Sequence, residues 1–101
     1  MDDTLGQLVY SKAGRDAGKK FIIVEIIDEL YVAVSDGSLR RLEKPKKKKI
    51  KHLELTGKIV TPLSEKFRDK LKVTNSEIRK ALAAVENKSE GNNDKENWMG
   101  D

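Results

Sequence analysis

The chain has 101 residues, of which 37% are hydrophobic and 38% charged, with 21 Lys and Arg against 17 Asp and Glu for a net charge of +4. That length suits one domain-sized core with appendages and not two independent domains, and the polar composition keeps the core small. Cysteine is absent, which removes disulfides, thiolate metal sites and cysteine nucleophiles; the acidic start Met1-Asp-Asp-Thr4 and the lack of any ~20-residue apolar run point to a cytosolic protein without a membrane span.

In chain order, Gly6 to Lys12 reads as a first strand, with Leu8 and Tyr10 on one face and Val9 on the other. Ala13-Gly-Arg-Asp-Ala-Gly18 then forms a basic loop in which Gly14 and Gly18 let the backbone take positive φ. Such a loop can bring N–H groups and the side chains of Lys12, Arg15, Lys19 and Lys20 to a phosphate. Lys20 to Ile27 is a second strand, with Ile22, Val24 and Ile26 on one side, Phe21, Ile23 and Ile27 on the other, and Glu25 at a solvated position. Asp28-Glu29 connects it tightly to a third strand, Tyr31 to Val34. Asp36-Gly37 is a turn leading to a fourth strand, Leu39 to Leu42, with Arg40 and Arg41 on opposite faces.

Pro45 cannot donate to a ladder, so Glu43 to Lys47 reads as a loop or sheet edge, and Ile50, His52, Leu53 and Leu55 mark a last short strand. Five short strands with brief connections suggest a small closed sheet. From Thr61 the period becomes helical: Pro62 opens one helix carrying Leu63, Phe67 and Leu71. Thr74-Asn-Ser-Glu77 is a capping box for a second helix whose apolar stripe is Ile78, Leu82 and Val85. The sequence thus divides into a β unit over 1–60, a helical extension over 61–86 and a tail over 87–101. The tail has no apolar residue before Trp98, is expected to be disordered, and leaves Trp98 solvent-exposed.

Charge is concentrated at the front. Residues 1–60 carry 13 Lys and Arg against 9 acids, whereas residues 87–101 carry 2 against 4. Between Arg40 and His52 lie eight Lys and Arg, with Glu43 the sole acid, so a polyanion is the natural partner. Lys46, Lys47, Lys48 and Lys49, with Lys44 and Lys51 beside them, read as a phosphate comb on a flexible loop, giving affinity without sequence information; the run could also serve as a localisation signal. Arg15, Arg40 and Arg41 are the candidates for selectivity, since guanidinium groups grip phosphate bidentately and stack on unpaired bases. The competing role for these arginines is pairing with Asp16, Asp36 or Glu43 on the surface. His52, the single histidine, has no ligand-like spacing around it and belongs at the edge of the sheet, where it either hydrogen-bonds a polyanion such as RNA or packs beside Leu53 and Leu55. Neither a Gly-x-Ser-x-Gly elbow nor a P-loop is present, and no catalytic residue, metal or cofactor is expected.

Gly14-Arg-Asp-Ala-Gly18-Lys followed by an apolar strand resembles the KOW motif, although Phe21 stands where most KOW sequences place a further glycine. With Ala13-Gly14-Arg15, Arg40-Arg41 and His52-Leu-Glu54, residues 5–56 look most like the large-subunit ribosomal proteins of the fourteen-e type. The resemblance implies an SH3-like barrel; with the two helices read from the periodicity, the fold expected is mainly β, a five-stranded SH3-like barrel with a C-terminal two-helix extension. The resemblance also implies a non-enzymatic, cytoplasmic protein that binds structured RNA of the large subunit, beside neighbouring ribosomal proteins and monomeric when free. The rival readings are a protein-interaction adaptor in transcription or translation and a nonspecific DNA-binding protein.

Overall fold

The computed structural model describes residues 4–90, with side chains as far as residue 84. Five strands, β1 (Gln7–Ser11), β2 (Lys20–Ile26), β3 (Tyr31–Ser35), β4 (Lys46–Lys49) and β5 (Leu53–Ile59), form one antiparallel sheet in the order β4-β3-β2-β1-β5. Two helices follow, α1 (Thr61–Arg68) and α2 (Asn75–Glu90). The meander of four strands, with the fifth returning beside β1, is the mainly β architecture the sequence implies and is consistent with an SH3-like barrel.

The central strands β1, β2 and β3 are buried on both faces, whereas β4 and β5 are largely half-buried or exposed. Val9, Phe21, Ile23, Val32, Val34 and Leu53 pack on one side, while Leu8 and Ile22 pack with Leu63, Ile78 and Leu82 of the helices on the other. This explains why β2 is apolar at successive positions, and each such side chain contributes ~1.5–3 kcal/mol of burial. The alternation along β2 nevertheless departs from the sequence reading. Its register with β3 shifts between Ile23 and Glu25, a bulge that returns Ile26 to the side of Phe21 and Ile23 instead of Ile22 and Val24. Ile27 falls beyond the strand and is 41% exposed. Glu25 is exposed, as expected. The β2–β3 turn works without glycine because the Asp28 carboxylate accepts N–H bonds from Leu30 and Tyr31, at 2.8 and 2.9 Å.

The fourth strand is not where the pattern placed it. Leu39 to Leu42 is irregular, because the backbone of Arg40 is fully used by a local turn. Its N–H donates to Asp36 Oδ1 at 2.9 Å, and its carbonyl accepts from Ser35 Oγ at 2.6 Å and from the Asp36 N–H at 3.0 Å. The strand is instead the lysine run: Lys46 to Lys49 pairs with Val34 to Tyr31. The comb therefore sits on a regular edge strand and not on a flexible loop, with Pro45 just before it and charged side chains along it, features that suit an edge. Ile50 and His52 belong to a 3-10 turn, and β5 starts at Leu53 and runs on to Ile59.

Pro62 opens α1, but the helix stops at Arg68. Lys70 takes φ +59°, and Leu71, expected on the helix stripe, is exposed. The capping box of α2 forms: the Thr74 N–H reaches Glu77 Oε2 and the Glu77 N–H reaches Thr74 Oγ1, each at 3.2 Å. Helix α2 extends to Glu90, past the boundary at 86. The Val85 side chain and residues 91–101, with Trp98, lie outside the described residues. The helix docks on the β3–β4 loop through Gly37, where φ is +77° and a Cβ would come within 2.5 Å of the Asn75 carbonyl. Arg79 Nη1 donates to the Gly37 carbonyl at 2.6 Å in the same contact.

Candidate nucleic-acid interface

In an antiparallel meander the β1–β2 and β3–β4 connections leave the sheet at the same end. Here those connections are the Gly14–Gly18 loop and the loop holding Arg40, Arg41 and Lys44. Topology thus brings together two basic segments that are 25 residues apart at Arg15 and Arg40. Gly14 and Gly18 take φ +76° and +87°, and between them Gly14–Asp16 forms one 3-10 turn. The turn is fastened by the Gly18 N–H to the Ser11 carbonyl at 2.8 Å and by the Lys19 N–H to the Asp16 carbonyl at 2.9 Å. Lys12, Arg15 and Lys19 remain exposed around it, and Lys20 is half-buried at the start of β2. The Lys12 N–H donates to the His52 carbonyl at 2.8 Å, which places half-buried His52 beside the same loop.

Asp16 points the other way, into the molecule. Its Oδ2 lies 3.6 Å from Lys48 Nζ and 3.8 Å from Arg40 Nη2. Lys48 Nζ also donates to Ser11 Oγ at 3.2 Å. One acid therefore ties the first basic loop to the second loop and to the edge strand. Of the pairings considered for the arginines, Arg40 takes Asp16 and Arg41 takes Glu43, at 3.8 Å. Asp36 is occupied instead by the Ser38 and Arg40 backbone.

The four lysines of β4 divide by strand alternation. Lys48 turns in to Asp16, whereas Lys47 and Lys49 flank the ring of Tyr31, with their ammonium groups 4.4 and 6.0 Å from its centroid. Arg40, Arg41, Lys44, Lys46 and Lys47 line a cleft of about 690 Å³ together with Leu39, Glu43 and Pro45. Glu43 is held there by α2, since Asn75 Nδ2 donates to both its oxygens, at 2.9 and 3.2 Å, while Asn75 Oδ1 accepts the Leu42 N–H at 2.8 Å. The Asn75 amide, Glu43's own backbone N–H and then Arg41 hold its carboxyl below the usual carboxylate range. Lys49 and Lys51 border a separate hollow of about 370 Å³ with Leu30 and Ile50.

The structure thus groups the arginines and most of the lysines singled out in the sequence, and it sets Lys48, Lys49 and Lys51 apart. Sequence reasoning missed the clamp at Asn75, the ring of Tyr31 and the inward turn of Asp16. The capping-box segment marked the neighbourhood of Asn75 but not its contact with Glu43, 32 residues away. Among the described residues, no group of three His, Asp or Glu side chains could hold a metal ion.

Fold and surface define a small, mainly β protein with a cluster of cations at the loop end of the sheet. No family model matches the chain. Over 56 residues it is 43% identical to the large ribosomal subunit protein eL14 of Desulfurococcus amylolyticus, covering 55% of this chain and 58% of that protein. Over 81 residues it is 30% identical to the proteins of the same name from Pyrobaculum calidifontis and Pyrobaculum aerophilum, covering 80% of this chain and 72% of each of those proteins. The chain belongs to the eL14 family of large-subunit ribosomal proteins. The longer alignments, over 81 residues, reach past the KOW-like stretch 5–56 and include α1. The chain spans a little under three fifths of the Desulfurococcus relative.

Proposed function

We propose that this protein binds structured ribosomal RNA of the large subunit and acts there without catalysis, as a ribosomal or ribosome-associated protein of the cytoplasm. The observation that carries the reading is the Asp16–Arg40 contact at 3.8 Å. It joins the two basic loops into one surface, on which Lys12, Arg15, Lys19, Arg40 and Arg41 can meet the same RNA backbone, with Lys44, Lys46 and Lys47 extending it. Cations on a preformed loop end supply affinity through phosphate contacts. The arginines add selectivity for folded RNA, where backbones converge and bases are unpaired. Gly14 and Gly18 keep the first loop tight enough for its backbone to approach a phosphate. Leu30, 66% exposed beside Ile50, offers an apolar surface that a neighbouring ribosomal protein would cover.

The test is binding of the full chain to large-subunit ribosomal RNA and to duplex DNA of equal length over a range of salt concentrations, with cosedimentation with large subunits in parallel. Tighter binding to the RNA, persisting as salt is raised, supports the reading. Equal affinity for RNA and DNA at every salt concentration would leave only a nonspecific polyanion binder.

A further inference from the structure

The cleft beside Arg41 differs from the rest of the basic surface because it has an apolar centre. Leu39 is 76% exposed, the largest exposure among the apolar side chains of the described residues that stand out to solvent, and it shares the cleft with Pro45. Around these two side chains stand Arg40, Arg41, Lys44, Lys46 and Lys47. Its volume of about 690 Å³ lies within the ~300–1,000 Å³ typical of small-ligand pockets and is too small for a double helix. A purely electrostatic comb has no use for an exposed leucine, whose hydration is unfavourable unless an apolar surface covers it. A nucleotide supplies both halves of the match: a flat base for Leu39 and Pro45, and phosphates for the lysines.

The cleft is also held in shape before any ligand arrives. Asn75, at the start of α2, grips Glu43 with its amide and the Leu42 backbone with its carbonyl. Glu43 in turn stands 3.8 Å from Arg41 Nε. The sole acid of the cleft is therefore directed to Asn75 and lies beside the guanidinium, a planar cation on which unpaired bases stack.

We propose that this cleft receives a single unpaired nucleotide extruded from folded RNA, its base packed on Leu39, Pro45 and the Arg41 plane and its flanking phosphates on Lys44, Lys46 and Lys47. The proposal rests on the RNA-binding reading above and adds to it the feature of the RNA that is recognised.

The experiment compares two RNA hairpins with the same stem and loop, one continuous and one carrying a single bulged 2-aminopurine nucleotide, by fluorescence anisotropy with the full chain at fixed salt. The bulged hairpin should bind roughly tenfold more tightly, the gain expected of one stacked base, and its 2-aminopurine emission should change on binding. Leu39→Ser, at an exposed position where the fold is not at risk, should abolish that preference and leave binding to the continuous hairpin unchanged; circular dichroism checks that the variant is folded. Arg41→Lys, which keeps the charge, should lower the preference in the same way. Equal binding of the two hairpins by the parent, or a preference that survives Leu39→Ser, overturns the nucleotide cleft while binding to ribosomal RNA stands. Failure to bind ribosomal RNA at all overturns the reading beneath it.

Discussion

Lys48 Nζ lies 3.6 Å from the Asp16 carboxylate, and the two side chains are only 10% and 12% exposed. A lysine from the most basic run of the chain is thus spent inside the fold, holding the Gly14–Gly18 loop to the edge strand. Removing the acid's charge leaves a sheltered ammonium group that still donates to Ser11 Oγ but has lost this counter-charge, the costly way to break a pair. Asp16→Asn should therefore lower stability by about 1–3 kcal/mol in urea denaturation. Replacing both partners, as Asp16→Asn with Lys48→Met, should recover part of that loss. A double variant no better than Asp16→Asn would show that the pair is incidental.

Gly37 and Gly18 both have positive φ, yet they should respond differently to a side chain. At Gly18 a Cβ meets nothing within 4 Å, so Gly18→Ala carries only the left-handed penalty of about 1–2 kcal/mol. At Gly37 a Cβ would come within 2.5 Å of the Asn75 carbonyl, and α2 must shift as well, for a total of about 2–4 kcal/mol. Thermal denaturation of the two variants side by side checks the order. Gly18→Val should also disturb the basic loop, because a β-branched residue resists that conformation.

The sequence shows β1, β2 and β3 clearly, because their Val, Ile and Phe residues are chosen by the same burial that makes them strands. It hides β4, because four lysines have no strand preference of their own; they become a strand by pairing with Val34 to Tyr31. Leu39 to Leu42 misleads in the opposite sense. Two leucines flank two arginines as in a half-buried strand, while Ser35 and Asp36 upstream capture the backbone of Arg40 for a turn. The positive φ of Gly14 and Gly18 was legible, since short glycine-marked loops admit few alternatives. The Asn75–Glu43 clamp was not, because nothing local reports a contact that forms only when α2 docks.

Glu77 gives the pH dependence. Its Oε1 accepts from Lys66 Nζ at 2.7 Å, bridging α1 and α2. That bond first, and then the Thr74 N–H, lower its pKa below the ordinary value. Glu43 is lowered too, chiefly by Asn75. For a carboxylate whose folded pKa is depressed, the stabilising contribution is present above the unfolded value of about 4.3 and is lost as pH falls through the lower folded value. Glu77→Gln should accordingly cost stability near neutral pH, and its difference from the parent should shrink on acidification below the ordinary carboxylate range. Urea midpoints measured for both proteins across that range decide it; a difference that does not change with pH would mean the bridge contributes nothing through charge.

The last expectation separates affinity from selectivity on the proposed RNA surface. With Lys48 engaged by Asp16, the run Lys46 to Lys49 offers three cations to phosphates and not four. Replacing Lys46, Lys47 and Lys49 by Gln should weaken binding to all RNAs about equally and reduce the log–log salt slope by roughly 2–3, at ~0.7–0.9 per phosphate. Adding Lys48→Gln should change the slope little further and should instead lower stability, since it leaves the sheltered Asp16 carboxylate with only the longer contact to Arg40. Arg15, Arg40 and Arg41 substituted by Lys keep the charge but lose bidentate and stacking geometry, so the salt slope should hold while discrimination between folded ribosomal RNA and duplex DNA falls. Competition binding at several salt concentrations distinguishes these outcomes. A slope that drops by a further phosphate with Lys48, or a loss of discrimination confined to the lysine variants, would place the reading surface on β4 and take it away from the two arginine-bearing loops.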